Sequence, residues 1–149
     1  NRTVALRWID AFNARDDAAE AAARTSGYIA HAPDSIQTAA LDSDAWVEFL
    51  GVFLEGFPDL HLEVLGSSAD EGMVAQRILF TGTGRKVRFS ALELNRMVDG
   101  KVAEHWFQLD SVTLFEQLGL RVVPGPRLLP RLLASPVMRW LGRGRRATS

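Results

Sequence analysis

A chain of 149 residues with 47% hydrophobic content has the size and make-up of one domain built around a single core. It contains no cysteine, which excludes disulfides, thiolate metal sites and cysteine nucleophiles. The net charge of −1 is unevenly spread: residues 121–149 hold seven arginines and no acid, which leaves −8 on residues 1–120 and argues against nucleic acid as a partner of the folded body.

The predicted elements run helices first, then strands. From Thr3, the residues Val4, Leu6, Trp8, Ile9, Ala11 and Phe12 recur at three- and four-residue spacings, the mark of an amphipathic helix that ends near Asn13 to Asp16. Asp17 to Arg24 is alanine-rich and predicts a second, short helix, and His31 to Leu41 is irregular. Asp42 or Ser43 can cap a third helix through Trp46, Phe49, Leu50, Phe53 and Leu54, which Gly56-Phe57-Pro58 must stop. Leu60 to Gly66, Met73 to Thr83, Lys86 to Val98 and Lys101 to Asp110 then alternate as strands. Asp99-Gly100 joins the last two as a tight hairpin. Ser111 caps a short closing helix through Leu114, Phe115 and Leu118, with Gly119 as its stop. The expected architecture is α+β, three helices on a curved, mostly antiparallel sheet.

The familiar motifs are missing. Gly82-Thr83-Gly84 lacks the rest of a nucleotide-binding loop, so no cofactor is expected. His31, His61 and His105 lie on separate elements without metal-site spacing, so no metal is expected either. No run reaches the roughly 20 apolar residues of a membrane span, and no leader opens the sequence, so the expected location is cytoplasmic. What remains is chemistry by carboxylate, imidazole and hydroxyl groups.

The last strand divides by period two. Val102, Glu104, Trp106, Gln108 and Asp110 share one face; Ala103, His105, Phe107 and Leu109 share the other. The first combines a large aromatic with hydrogen-bonding groups, as a ligand cavity does, although it could equally face water. The second reads as a packing surface, with His105 structural.

Val98-Asp-Gly-Lys-Val-Ala-Glu-His-Trp106, followed by Asp110 and Leu118-Gly119, resembles the C-terminal signature of the SnoaL-like polyketide cyclases. Trp8 to Arg15, Tyr28 to Pro33, Phe57 to Leu60, Val74 to Arg77 and Gly82-Thr83 are similar to that family in order and spacing. The resemblance covers residues 3–120 and implies the cone-shaped NTF2-like fold, with residues 121–149 as a basic extension. One departure stands out: Gly84-Arg85-Lys86 leads almost directly into Val87, where the family carries a longer loop over its pocket.

The resemblance implies a cofactor-free intramolecular aldol condensation on an aromatic polyketide, as in antibiotic-type secondary metabolism. A related hydroxylase, an epoxide hydrolase and a non-catalytic binding or dimerisation module are the alternatives. It implies Asp110 as general acid/base, its pKa raised by burial, and His31 as a donor to the developing oxyanion. Trp106, Trp46, Tyr28 and Phe89 are candidate walls of the substrate site, with Gln108 as a polar contact. Arg77 could bind an acidic substrate or pair on the surface. The expected partner is a hydrophobic small molecule. A homodimer is expected through the Ala103, His105, Phe107 and Leu109 face. An arginine-rich tail can touch an anionic membrane, but packing on its own domain or a partner subunit through Leu128, Leu129, Leu132, Leu133 and Trp140 is favoured, with a short helix starting at Ser135-Pro136.

Overall fold

Helical spacing, caps and alternation place nine elements along the described residues: α1 Arg2–Ala14, α2 Asp17–Ala22, β1 Arg24–His31, α3 Ser43–Gly56, β2 His61–Ala69, β3 Met73–Gly82, β4 Val87–Val98, β5 Lys101–Leu109 and α4 Ser111–Gln117. This is a computed structural model, and it describes residues 1–34 and 36–121 together with Arg127 and Pro130. The chain divides into two compact units, Asn1–Gly119 and Leu120–Ser149. What the sequence predicts for the tail beyond Arg121 lies outside the described residues, apart from those two positions.

The caps follow local chemistry. Asp16, Asp42 and Asp110 each accept the backbone N–H three residues on, at 2.9, 3.0 and 3.1 Å, so α2, α3 and α4 all begin on an aspartate. Arg15 ends α1 in the left-handed region, and its guanidinium donates to the carbonyls of Phe12, Pro58 and Leu60. The Asn13 amide both donates to Leu62 O and accepts from Leu62 N, imitating a neighbouring strand along edge strand β2. Together these side chains fix the end of α1 to the start of β2.

The sheet is open and curved, ordered β1-β5-β4-β3-β2, antiparallel except where β1 runs parallel to β5. The β4–β5 turn has positive φ at Asp99 and Gly100, as the expected hairpin requires. β1 is the element missing from the sequence prediction. It follows α2 after a single residue and contains Ser26 and Gly27, so alternation is weak where it begins.

The core has two clusters on the inner face of the sheet. One gathers Trp8, Tyr28, Trp46 and Phe107 from α1, β1, α3 and β5. The other gathers Ile9, Leu60, Ile78, Phe80, Phe89 and Leu114 from α1, the approach to β2, β3, β4 and α4.

Among the described residues no helix is long and apolar enough to cross a membrane.

Candidate active site

An apolar cavity of about 50 Å³ opens at the seam between the two clusters. Helix α1 supplies Trp8, Ile9 and Phe12, and α3 supplies Trp46, Phe49, Leu50 and Phe53. Opposite them stand Leu62 and Phe80 from the sheet, and His105, Phe107 and Leu109 from β5. Two carboxylates, Glu20 and Glu93, complete the wall.

The polar groups of this site form a stripe across four strands. Glu93 is paired in register with Gln76 on β3, and Asn95 with His105 on β5. Asn95 Nδ2 donates to Gln76 Oε1 at 3.3 Å. His105 Nε2 lies 3.6 Å from Glu93 Oε2, and His105 Nδ1 lies 3.3 Å from the Tyr28 hydroxyl. In the tautomer whose Nδ1 accepts the Tyr28 proton, the Nε2 proton faces Glu93.

All these groups are buried, His105 at 2% exposure and Glu93 at 7%. Glu93 Oε2 and His105 Nε2 nevertheless have no hydrogen-bond partner among the described residues. Unpartnered buried polar atoms are costly, and they concentrate where a ligand or a reaction uses them.

Burial pushes the Tyr28 phenol well above its ordinary value of 10, opposed by Arg24 and reinforced by Glu20 and Glu93. Tyr28 therefore stays protonated and can hold the imidazole. The Trp46 indole donates to Glu20 Oε1 at 3.1 Å. Edge-on contacts from Trp8 and Trp46, at 5.0 and 5.3 Å between ring centroids, fix the plane of His105.

Of the two readings open for the Glu104, Trp106, Gln108 and Asp110 face of β5, the structure favours the one facing water, and the buried packing face is also the one that lines the cavity. His105, Phe107 and Leu109 line the cavity, whereas Trp106 and Gln108 look outward. The dimer expected through the Ala103, His105, Phe107 and Leu109 face therefore has no free surface there, because α1 and α3 cover it. Arg77, Trp106 and Gln108 meet instead at an open depression of about 640 Å³ on the outer face. His31 stacks on Trp106 at 5.2 Å and contacts Glu104 Oε1 at 2.9 Å, also on that side.

Asp110 caps α4 and is exposed. Its hydrogen bonds to Thr113 hold its carboxyl below the ordinary value of 3.8, opposite to the rise expected from burial. Of the remaining predicted residues, Trp46 stands in the cavity wall, Tyr28 lies behind His105, and Phe89 stacks on the wall residue Phe80 at 5.0 Å.

Glu93 is a site residue that the sequence reading misses, yet a signal for it exists. Val87, Phe89, Ala91, Glu93, Asn95 and Met97 share the inward face of β4, and the two polar members interrupt an otherwise apolar row. Gln76 interrupts β3 in the same way, between Val74 and Ile78.

The β3–β4 connection is tied down by Asp59, which accepts from the backbone N–H groups of Thr83 at 2.5 Å and Gly84 at 2.8 Å and from the Thr83 hydroxyl. These bonds, the hydroxyl first, hold the Asp59 carboxyl below its ordinary 3.8. None of the loop residues lines the cavity. Among the described residues no group of three or more histidine, aspartate or glutamate side chains is placed to hold a metal.

Residues 2–118 match the sequence model of the SnoaL-like polyketide cyclases. The chain belongs to this family. Among solved structures it is similar to AclR of Streptomyces galilaeus, a candidate hydroxylase, at 29% identity and a TM-score of 0.70 over 79% of this chain and 94% of that one. It is also similar to IdmH of Streptomyces antibioticus, a candidate polyketide cyclase, at 24% identity and a TM-score of 0.73 over 80% and 98%. A loop-truncated variant of IdmH is 27% identical, with a TM-score of 0.68 over 74% and 93%. No curated protein sequence matches the chain.

Proposed function

We propose that this SnoaL-like protein is a cytoplasmic enzyme of antibiotic-type secondary metabolism that moves a proton on an aromatic polyketide-type small molecule, with Glu93 as base and His105 as its partner. The observation that carries the reading is the pair of unpartnered atoms, Glu93 Oε2 and His105 Nε2, buried on two residues that line an apolar cavity. A methylene between two carbonyls is acidic enough for a carboxylate to deprotonate without a metal or a Schiff base. Glu93 takes that proton, and the enolate carbon attacks a second carbonyl of the same molecule. A carbon–carbon bond forms, the new alkoxide takes the Nε2 proton of His105, and Glu93 passes the proton it removed back to His105 Nε2, 3.6 Å away, so both side chains end in their starting states. Tyr28 holds the imidazole throughout, and the aromatic walls keep the reacting carbons together. This is the intramolecular aldol condensation implied by the family resemblance, with the proton handled by Glu93 and His105 in place of Asp110.

Hydroxylation is the second reading, favoured by the 29% identity to AclR. It shares the deprotonation but needs dioxygen as co-substrate and a two-electron donor that takes the second oxygen atom to water. Product mass therefore separates the two: cyclisation keeps the substrate's mass, or lowers it by one water when the aldol dehydrates, whereas hydroxylation raises it by one oxygen.

The test is solvent-deuterium exchange at the methylene of an aryl 1,3-diketone, monitored by NMR. Exchange accelerated by the wild type and reduced about 10²- to 10⁴-fold by Glu93→Gln is expected. Full exchange in the variant would refute the assignment of the base.

A further inference from the structure

Arg24 opens β1 and is buried to 5% exposure, yet its Nε and Nη1 donors have no partner among the described residues. No carboxylate among those residues forms an ion pair with it, and its guanidinium rests on the Tyr28 ring at 5.2 Å. A guanidinium is never deprotonated in a protein, so it cannot lose its charge to escape burial. An arginine in this position is left waiting for an acceptor.

The side chain lines a cleft of about 230 Å³ enclosed by the end of α1, by α2 and by α3. Phe12, Glu20 and Leu50 belong to both this cleft and the cavity, and form a shared wall between them. The cleft's other cation, Arg15, already donates to three carbonyls, at 2.6, 3.2 and 2.7 Å. Arg24 is the one with donors to spare. Of the two carboxylates in the cleft, Glu20 is engaged by the Trp46 indole and Asp17 is exposed, where solvent screens its repulsion. Leu50, Leu54 and Val47 offer apolar surface for the rest of a ligand.

We infer that Arg24 binds a carboxylate on the substrate, so that the ligand lies across the shared wall with its anionic end in the cleft and its reacting end in the cavity. This rests on the cavity being the substrate site, and it answers a difficulty of size. A cavity of about 50 Å³ cannot hold a multi-ring molecule by itself, since ligand pockets typically run from roughly 300 to 1,000 Å³. An acid is a natural selector here, because a buried cation left without its acceptor penalises the neutral analogue.

The experiment compares anthraquinone-2-carboxylate with its methyl ester, by calorimetry on the full chain. Wild type is expected to bind the acid at least about tenfold more tightly than the ester, the worth of one charge-assisted hydrogen bond. Arg24→Gln should lose that preference and keep its affinity for the ester. An acid bound no better than the ester by wild type, including no binding of either, overturns the inference. So does a preference that survives in Arg24→Gln. Should that variant fail to fold, the wild-type Arg24 Nε–H resonance decides: it should move on adding the acid and stay still with the ester, and an unmoved resonance overturns the site. Deuterium exchange tests the catalytic reading separately, since Glu93→Gln should cut exchange by about 10²- to 10⁴-fold and leave the acid preference intact.

Discussion

The two faces of the sheet carry similar side chains put to different use. On the inner face Glu93, His105 and Tyr28 are sealed under α1 and α3, with donors and acceptors left unmatched. On the outer face Glu104 also meets a histidine, but it is fully engaged: His31 at 2.9 Å on one oxygen and Arg96 at 3.0 Å on the other. A carboxylate and an imidazole therefore do not make a site by being near each other. Burial and unmet bonding capacity separate the inner pair, which the proposed reaction would use, from the outer group, which holds a surface together.

The sharpest break of that contrast is Glu93→Gln, expected to cut deuterium exchange by about 10² to 10⁴ with little change in melting temperature. Glu104→Gln, its outer counterpart, should leave exchange intact. Next in size is Trp46→Ala. It removes a ring packed against Trp8, Tyr28, His105 and Phe107 and the indole that satisfies Glu20. A loss of roughly 3 to 5 kcal/mol in urea unfolding is expected, the usual cost of emptying an aromatic core position.

Most of the fold is legible in the sequence because it depends on local signals. Alternation marks β2 to β5, Asp99-Gly100 marks the hairpin, and glycine and proline stops mark the ends of α3 and α4. What period two cannot decide is which face of β5 turns inward. Both faces are partly covered, and a register shift after Arg96 leaves Val102 and Ala103 both buried, so the simple alternation fails near the turn. A polar-plus-aromatic row has the make-up of a cavity side, whereas here the cavity lies where single polar residues interrupt apolar rows. β1 escapes a sequence reading because its pairing with β5 is long-range and parallel, and no turn signal announces it. Arg24 falls at the end of a predicted helix, where its burial cannot be foreseen.

Asp110 divides the family-based expectation from the observed geometry. As an exposed N-cap it should cost about 1 kcal/mol when changed to alanine, measured by urea unfolding. Asparagine, which caps equally well, should cost almost nothing. Loss of deuterium exchange in Asp110→Asn with the fold intact would restore the aspartate to a proton-transfer role.

The smallest expected effect belongs to the outer face and depends on pH. The hydrogen bond from His31, with Arg96 adding to it, holds the Glu104 carboxyl below its ordinary value of 4.5. A group whose pKa is depressed by folding binds protons more weakly in the native state than in the unfolded one. Its contribution is therefore complete above about pH 4.5 and fades as the pH falls through the depressed folded value. Because the pair lies at the surface, with side chains 35% and 25% exposed for His31 and Glu104, its worth stays under about 1 kcal/mol and shrinks with added salt. Urea midpoints measured between about pH 6 and roughly pH 3 should fall less steeply in Glu104→Gln than in wild type. The two curves should converge at the acid end, where wild-type Glu104 is itself protonated. Parallel curves over the whole range would mean that the His31–Glu104–Arg96 contact contributes nothing in solution.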